Sequence, residues 1–144
     1  MNEAQPIPFK PEVARPAGRR LCPFPDMHVS VPIHMPITTA QMENVRLGWI
    51  PEDMSDRWFI YVDEGNVAHI HRGGTGYCVY RVNFAPHQDG WAAVQLDANR
   101  DSEQYSNVDI ERDVQTVKTL IQDYLMRNRS PSVPNFIPGI GRQN

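Results

Sequence analysis

Residues 69–77, His-Ile-His-Arg-Gly-Gly-Thr-Gly-Tyr, are the segment of this sequence whose residue types could most readily do chemistry. On a β-strand, His69 and His71 project from the same face, which is the geometry that two metal-binding imidazoles need. A metal site needs a third ligand, however, and no other His or carboxylate stands at a recognisable spacing. We therefore expect two half-exposed strand histidines and no metal site.

The glycines that follow His71 allow a second interpretation. Successive backbone amides of a Gly-rich turn can form a concavity that binds an anion, and Arg72 and the Thr75 hydroxyl would assist it. The run is neither GxxxxGK[ST] nor a GxGxxG that opens a helix, so a hairpin turn needing positive φ explains it without any ligand. Arg72 stays a candidate contact for phosphate or carboxylate.

A second polar segment, residues 99–105, precedes the predicted C-terminal helix. If the sheet brings it near the Gly-rich turn, Arg72, Arg100 and Tyr105 line one cleft; otherwise it is an ordinary solvated loop. The candidate ligand-binding residues are therefore His71, Arg72, Thr75, Gly76, Arg100 and Tyr105. No Ser-His-acid series, catalytic carboxylate pair or HExxH unit is evident, so the sequence names no catalytic residue and no cofactor, and leaves open whether the protein is an enzyme.

An antiparallel sheet of about four strands is predicted to position these residues. Aromatic and β-branched runs separated by turn residues predict strands at 58–62, 67–72, 77–84 and 91–98. The short connections favour a meander. In the third strand, alternation puts Cys78, Tyr80, Val82 and Phe84 on one face, and in the fourth it does the same for Ala92, Val94, Leu96 and Ala98.

Two helices complete the predicted α+β fold. Thr38-Thr39-Ala40-Gln41 has the form of a capping box, which predicts a short helix over about residues 39–47, ended by Gly48. Asn107 or Asp109 can cap a long amphipathic helix that runs to about Arg127. Its apolar stripe should cover one face of the sheet, which predicts a shared core of Trp58, Ile60, Tyr80, Val82, Val94, Leu96, Val117, Leu120, Ile121 and Tyr124.

The chain divides into three predicted regions: an arm (residues 1–37), a single α+β domain (38–127) and a loose tail (128–144) with Phe136 and Ile137 as docking residues. The arm holds eight of the thirteen prolines, so we expect it to be extended. It is too apolar for a solvated linker, and should therefore dock either on its own domain or on a partner.

The composition argues against several classes of protein. A formal charge of -3 and a pI near 5.9 argue against a nucleic-acid surface. Cys22 and Cys78 form no CxxC unit, and no signal peptide or apolar run of membrane-spanning length is present, so we expect a cytoplasmic protein.

Trp-Phe-Ile-Tyr at 58–61, His-Arg-Gly-Gly-Thr-Gly at 71–76, Asn-Arg-Asp at 99–101 and Tyr105 follow one another over residues 51–127. In this order they resemble a family of small uncharacterised bacterial proteins. Its members have a Trp-Phe-x-Tyr strand, a His-Arg-Ser-Trp-Thr-Gly signature and an Asn-Arg-Asp loop before a C-terminal helix. Gly73 and Gly74 replace the Ser and Trp of that signature. The resemblance implies a bacterial protein with the predicted fold and a site near residues 71–76, but it names no ligand.

Two functional hypotheses follow. The first is a non-catalytic interaction protein whose Pro-rich arm and sheet surface engage a protein partner or a second copy of the chain, because extended segments add readily to sheet edges and grooves. The alternative is a protein that binds a small anionic, nucleotide-like molecule, or an enzyme that acts on one, at the Gly-rich turn.

Overall fold

The computed structural model of the protein describes residues 12–51 and 57–127. In these ranges the chain is α+β, with one antiparallel sheet of five strands and two helices. The elements are β1 (His28–Ile37), α1 (Thr39–Leu47), β2 (Trp58–Val62), β3 (Val67–Arg72), β4 (Cys78–His87), β5 (Gly90–Asn99) and α2 (Ile110–Leu120), which continues into a π-helical turn (Ile121–Leu125). None of the helices in these ranges is long and apolar enough to cross a membrane.

The strands lie in the order β1-β5-β4-β3-β2, so β2 to β5 form the predicted meander. The fifth strand, β1, was missed: it comes from the region predicted as an extended arm, and it pairs with β5 along the edge of the sheet. Pro32 and Pro36 argued against a strand in this part of the sequence. Because proline has no N–H to donate to a ladder, it is compatible with an edge strand and also hinders further strands from adding there.

Two β-bulges change the faces predicted from strict alternation. In the β4–β5 pair, Asn83 faces Gln95 and Phe84 faces Ala93, so Val94 has no cross-strand partner. Val94 is 36% exposed, and its prediction as a core residue is wrong. In the β3–β4 pair, Ile70 faces Tyr80 and His71 faces Cys78. Val79 therefore joins the core, while Cys78 turns to the opposite face.

The core lies between the sheet and the helices. Eight of the ten predicted core residues are buried: Trp58, Ile60, Tyr80, Val82, Leu96, Val117, Leu120 and Ile121. Tyr124 is partly buried and packs against this cluster, with its ring 4.8 Å from that of Trp49.

The helix ends follow the sequence closely at α1 and less closely at α2. Thr38 Oγ1 accepts from the Gln41 amide at 3.0 Å, and Gln41 Oε1 accepts from the Thr38 amide at 2.8 Å, so the capping box is present. Gly48 ends α1 with φ 71°. At the far end of α2 the predicted regular helix widens instead, because the Met126 amide donates to the carbonyl of Ile121, five residues back.

The predicted arm docks on its own domain over the part that the structure describes. The face of the sheet opposite the helices, which we call the arm side, is covered by residues between 16 and 24. The Ala14 amide donates to the Leu47 carbonyl at 2.8 Å, and the Cys22 amide donates to the Gly76 carbonyl at 2.9 Å. The Arg19 guanidinium lies 4.1 Å above the Phe59 ring. The C-terminal tail, with Phe136 and Ile137, lies outside the described residues.

Candidate functional site

The candidate residues His71 and Arg72 are neighbours in β3 and therefore face opposite sides of the sheet. Arg72 pairs with Trp58 of β2 on the helix side, and its guanidinium lies 5.1 Å above the Trp58 ring. His71 pairs with Phe59 on the arm side and is only 3% exposed. The two side chains line two different clefts.

The first cleft, which we call the arginine cleft, lies between the first residue of β2, the last residue of β3 and the start of α2. It has a volume of about 570 Å³ and is lined by Arg57, Trp58, Arg72, Tyr80, Gln104, Tyr105, Ser106, Asn107, Arg112 and Thr116. Arg57 and Arg112 are exposed and Arg72 is half-buried. Three arginines thus line one concavity, and no acidic residue lines it in the part of the chain that the structure describes.

A buried carboxylate, Asp113, supports the wall of this cleft. Its Oδ1 accepts from the hydroxyl groups of Tyr80 at 3.0 Å and Tyr105 at 2.8 Å, and from the Asn107 side-chain amide at 2.8 Å. The two tyrosine oxygens are themselves 2.6 Å apart. Each hydroxyl has one proton, so only two of the three contacts among Tyr80, Tyr105 and Asp113 are hydrogen bonds at one time.

Burial raises the pKa of both tyrosines, and the Asp113 carboxylate acts in the same direction. Tyr80 and Tyr105 therefore stay protonated near neutral pH, and their protons remain available to hold Asp113 in place. The network fixes the start of α2 against the sheet and so fixes the shape of the cleft.

Arg100 acts behind the cleft wall. Its Nη2 donates to Asp113 Oδ2 at 2.6 Å and its Nη1 donates to the Asn99 carbonyl at 2.9 Å. Arg100 thus neutralises the buried Asp113 carboxylate. Asp113 therefore does not offset the positive charge of Arg57, Arg72 and Arg112. Arg100 and Tyr105 are thus brought together through Asp113, but only Tyr105 lines the cleft.

Two amides of the Gly-rich turn form hydrogen bonds within the protein. The Gly73 amide donates to the Arg57 carbonyl at 2.6 Å, and the Gly76 amide donates to the Arg72 carbonyl at 2.9 Å. Thr75 is exposed, and its hydroxyl accepts from the Tyr77 amide at 3.3 Å. Gly76 has φ 80°, as a tight turn requires, and packs against the arm. Neither Thr75 nor Gly76 lines the arginine cleft.

The second cleft, which we call the histidine cleft, lies on the arm side and has a volume of about 600 Å³. It is lined by Pro16, Arg19, Leu21, Cys22, Pro23, Phe24, Tyr61, His69, His71, Cys78 and Arg81. His69 is half-buried, as expected, and its Nε2 lies 2.8 Å from Asp63 Oδ2. The prediction that His71 is half-exposed is wrong, because the arm and the Phe59 ring cover it.

Among the described residues, no group of three His, Cys, Asp or Glu side chains is arranged to hold a metal ion. His69 and His71 share a face, as their spacing requires, but His69 pairs with Asp63 and His71 pairs with the Gly76 carbonyl. Burial raises the pKa of the Cys78 thiol to about 12, so it stays protonated and is a poor metal ligand.

The sequence analysis missed Arg57 and Arg112 of the arginine cleft, Asp113 behind its wall, and Arg81 of the histidine cleft. A signal was present for Asp113, because it precedes Val117 by four residues and Leu120 by seven, and so lies on the apolar face of α2. A carboxylate at such a position needs a buried partner. No comparable signal marks Arg57 or Arg112, whose convergence depends on the packing of α2 against the sheet.

Compared with models of protein families, with curated proteins and with solved structures, the chain matches none of them. The resemblance of residues 51–127 to small bacterial proteins stays a prediction.

Proposed function

We propose that the protein binds a small phosphate-bearing anion in the arginine cleft. One observation supports this most strongly: Arg57, Arg72 and Arg112 line a single concavity, and none of the described residues that line it is acidic, in a chain whose formal net charge is -3. Like charges around one concavity repel one another, and a bound polyanion would relieve that repulsion.

The arginines differ in how firmly they are held. Arg72 stacks on Trp58, which limits the conformations of its side chain. Arg57 and Arg112 are exposed and can adjust. The proposed division of roles is that Arg72 fixes the position of the anion, while the other two complete its neutralisation.

The size and polarity of the cleft suit a phosphorylated small molecule. A volume of about 570 Å³ lies within the range of small-molecule sites, and Gln104, Ser106 and Thr116 supply uncharged polar groups around the arginines. Guanidinium groups bind phosphate oxygens through paired N–H donors, so several of them around one cleft favour phosphates over a single carboxylate.

Calorimetric titration with inorganic pyrophosphate, ribose 5-phosphate and AMP tests the proposal. The wild-type protein should bind at least one of them, with an affinity that falls as salt is added. Arg72→Gln should weaken binding by about tenfold to hundredfold, because it removes a charge-assisted hydrogen bond, and Arg112→Gln should weaken it less.

Arg46→Gln is the matched control, because the Arg46 guanidinium also stacks on a tryptophan, 4.8 Å from the Trp91 ring, but lies outside the cleft. It should bind as the wild type does. The proposal is overturned if no anion binds at about 1 mM, or if Arg72→Gln and Arg112→Gln bind as tightly as Arg46→Gln.

A second candidate function, association through the arm with a protein partner or a second copy, is favoured by one observation. Met27 and Val29 are 60% and 38% exposed beside the edge of the sheet. Deleting the whole arm would remove β1, so a sharper test is sedimentation of the full chain and of a Met27→Ser, Val29→Thr variant. A concentration-dependent dimer that is lost in the variant supports association through this surface, and a monomer in both contradicts self-association there.

A further inference from the structure

Two side chains that line the histidine cleft each have a buried nitrogen with no hydrogen-bond partner among the described residues: His71 Nε2 and Arg81 Nε. Both side chains line the same cleft, on the opposite side of the sheet from the arginine cleft. An unpaired buried polar atom costs free energy, so two in one concavity point to a ligand that pairs with both.

The contact of the other ring nitrogen fixes the role of His71 Nε2. His71 Nδ1 lies 2.9 Å from the Gly76 carbonyl oxygen, which can only accept. Nδ1 therefore carries the proton, and Nε2 of the neutral ring offers a lone pair. Burial, together with the nearby His69, lowers the pKa of His71, which keeps the ring neutral. A ligand at this point must donate a hydrogen bond.

Arg81 presents the opposite requirement. Its Nη2 is 3.1 Å from Asp97 Oδ2, and its guanidinium lies 4.3 Å from the Phe24 ring. With these contacts made, Nε–H remains as a donor without an acceptor. Arg81 faces His69 directly across the β3–β4 pair, and His71 projects from the same face two residues along β3. A ligand near Arg81 must therefore accept a hydrogen bond.

The walls of the cleft are flat. The Tyr61 ring stacks on His69, with centroids 4.5 Å apart and planes at 7°, and it lies 5.8 Å from His71 at 19°. Phe24 supplies a ring from the arm, over Arg81. Parallel aromatic surfaces favour a planar ligand that can stack.

We propose that the histidine cleft binds a planar heterocycle with a neighbouring N–H donor and C=O acceptor, the lactam edge found in nucleobases. Its N–H donates to His71 Nε2, and its carbonyl oxygen accepts from Arg81 Nε. This site is separate from the arginine cleft and does not depend on the function proposed for it.

Other ligand classes fit less well. A carboxylate has no proton to donate to the lone pair of His71. A metal ion would need a third ligand, and the described residues supply no such group. A purely apolar ring would leave both buried polar atoms unpaired.

The test uses the full chain labelled with ¹⁵N. Two-bond correlations in the imidazole ring identify His71 as the Nδ1–H tautomer, and the Nε2 resonance reports a hydrogen bond directly. Titration with uracil, hypoxanthine and cytosine should shift this resonance for at least one base. 1,3-Dimethyluracil is the matched ligand control, because it keeps the plane and the carbonyl groups but has no N–H to donate.

His71→Phe keeps the ring volume and removes the acceptor, and should weaken binding of the active base by about tenfold. Arg81→Lys keeps the charge but removes Nε–H, and should also weaken it. His87→Phe is the control variant, because His87 packs against His34 at the far end of β4. Should His71→Phe fail to fold, the Nε2 shift in the wild type and the Arg81→Lys affinity still decide the outcome.

Three results overturn the proposal. The first is that no base shifts the Nε2 resonance of His71 at about 1 mM. The second is that the dimethylated base shifts it as much as uracil does. The third is binding that is unchanged in both His71→Phe and Arg81→Lys.

Discussion

The two clefts of this protein are separated by the thickness of one sheet and are built on different principles. The arginine cleft is held from behind by a buried ionic network around Asp113, and it presents excess positive charge. The histidine cleft is roofed by the arm, has Arg81 paired with Asp97 and His69 in contact with Asp63, and includes two side chains with an unpaired buried nitrogen. One cleft is suited to a charged ligand and the other to a neutral planar one.

Residues that are adjacent in the sequence line the two different clefts. His71 and Arg72 are consecutive, and the pleat of β3 sends one to each side of the sheet. A shift of the strand register by one residue would exchange the two side chains and abolish both sites. The bulges at Val79 and Val94 reverse the alternation of the strand, so they determine which side of the sheet the neighbouring residues face.

The largest expected effect is on the support of the arginine cleft. Asp113→Asn leaves Arg100 buried without its counter-charge, which should lower the free energy of unfolding by about 3–5 kcal/mol. Asp97→Asn on the histidine side is the comparison. It should cost less, about 1–3 kcal/mol, because Arg81 is 33% exposed and reaches water. Urea denaturation of the two variants decides it, and an equal or larger loss in Asp97→Asn contradicts the account.

The second effect concerns the bulge that divides the two sides of β5. Leu96 is fully buried on the helix side, so Leu96→Ala should cost about 2–5 kcal/mol. Val94→Ala should cost less than about 1 kcal/mol, because the bulge directs that side chain toward solvent. Thermal melts of both variants test this. Equal losses would show that strict alternation, and not a bulge, describes β5.

A third, smaller effect should affect the histidine cleft alone. A Cβ at Gly76 would lie 2.2 Å from the Arg20 carbonyl oxygen, at φ 80°, so Gly76→Ala should push the arm away and cost about 1–3 kcal/mol. Gly74→Ala meets no atom within 4 Å and is the control. Limited proteolysis should cut within residues 12–24 faster in Gly76→Ala than in Gly74→Ala. Equal cleavage would mean that the turn does not hold the arm.

The smallest effect is a pH dependence from His71. Burial lowers its pKa in the folded state, so its contribution to stability is complete above the unfolded pKa of about 6.5 and is lost as pH falls toward the folded value. The loss should approach about 1.4 kcal/mol per pH unit. The other titratable or charged residues that line the same cleft are Arg19, Cys22, Tyr61, His69, Cys78 and Arg81.

Urea midpoints at about pH 7.5 and 5.5 measure this effect. His71→Phe should reduce the difference between the two midpoints, and His87→Phe should keep it. Asp63 and Asp97 have lowered pKa values, so their contributions are lost only at more acidic pH. A difference that is unchanged in His71→Phe would assign the pH dependence to another group.

The elements that could be predicted from the sequence, α1 and the meander, depend on residues that are close together along the chain. The capping box at Thr38, the turn residues and the alternation in β2 and β3 act over a few residues, so they predicted α1 and the meander. Long-range packing accounts for what was missed. β1 is a strand because its edge position tolerates Pro32 and Pro36, and the bulges depend on pairing partners that are remote in sequence.

The candidate site was also predicted only in part. Arg72 and Tyr105 were predicted and do share a cleft, because the order of the strands brings the segment after β5 near the end of β3. Arg100 serves Asp113 instead, and His71 faces away from Arg72. Only the three-dimensional packing brings Arg57 and Arg112 to Arg72, since these three residues come from different elements.

Titration of pyrophosphate into Arg72→Gln and His71→Phe side by side shows whether these two adjacent residues serve two independent sites. Arg72→Gln should weaken pyrophosphate binding by about tenfold or more, while His71→Phe should leave it within about twofold of the wild type. If His71→Phe weakens binding as much as Arg72→Gln does, the two clefts are coupled or are one site, and the account is wrong.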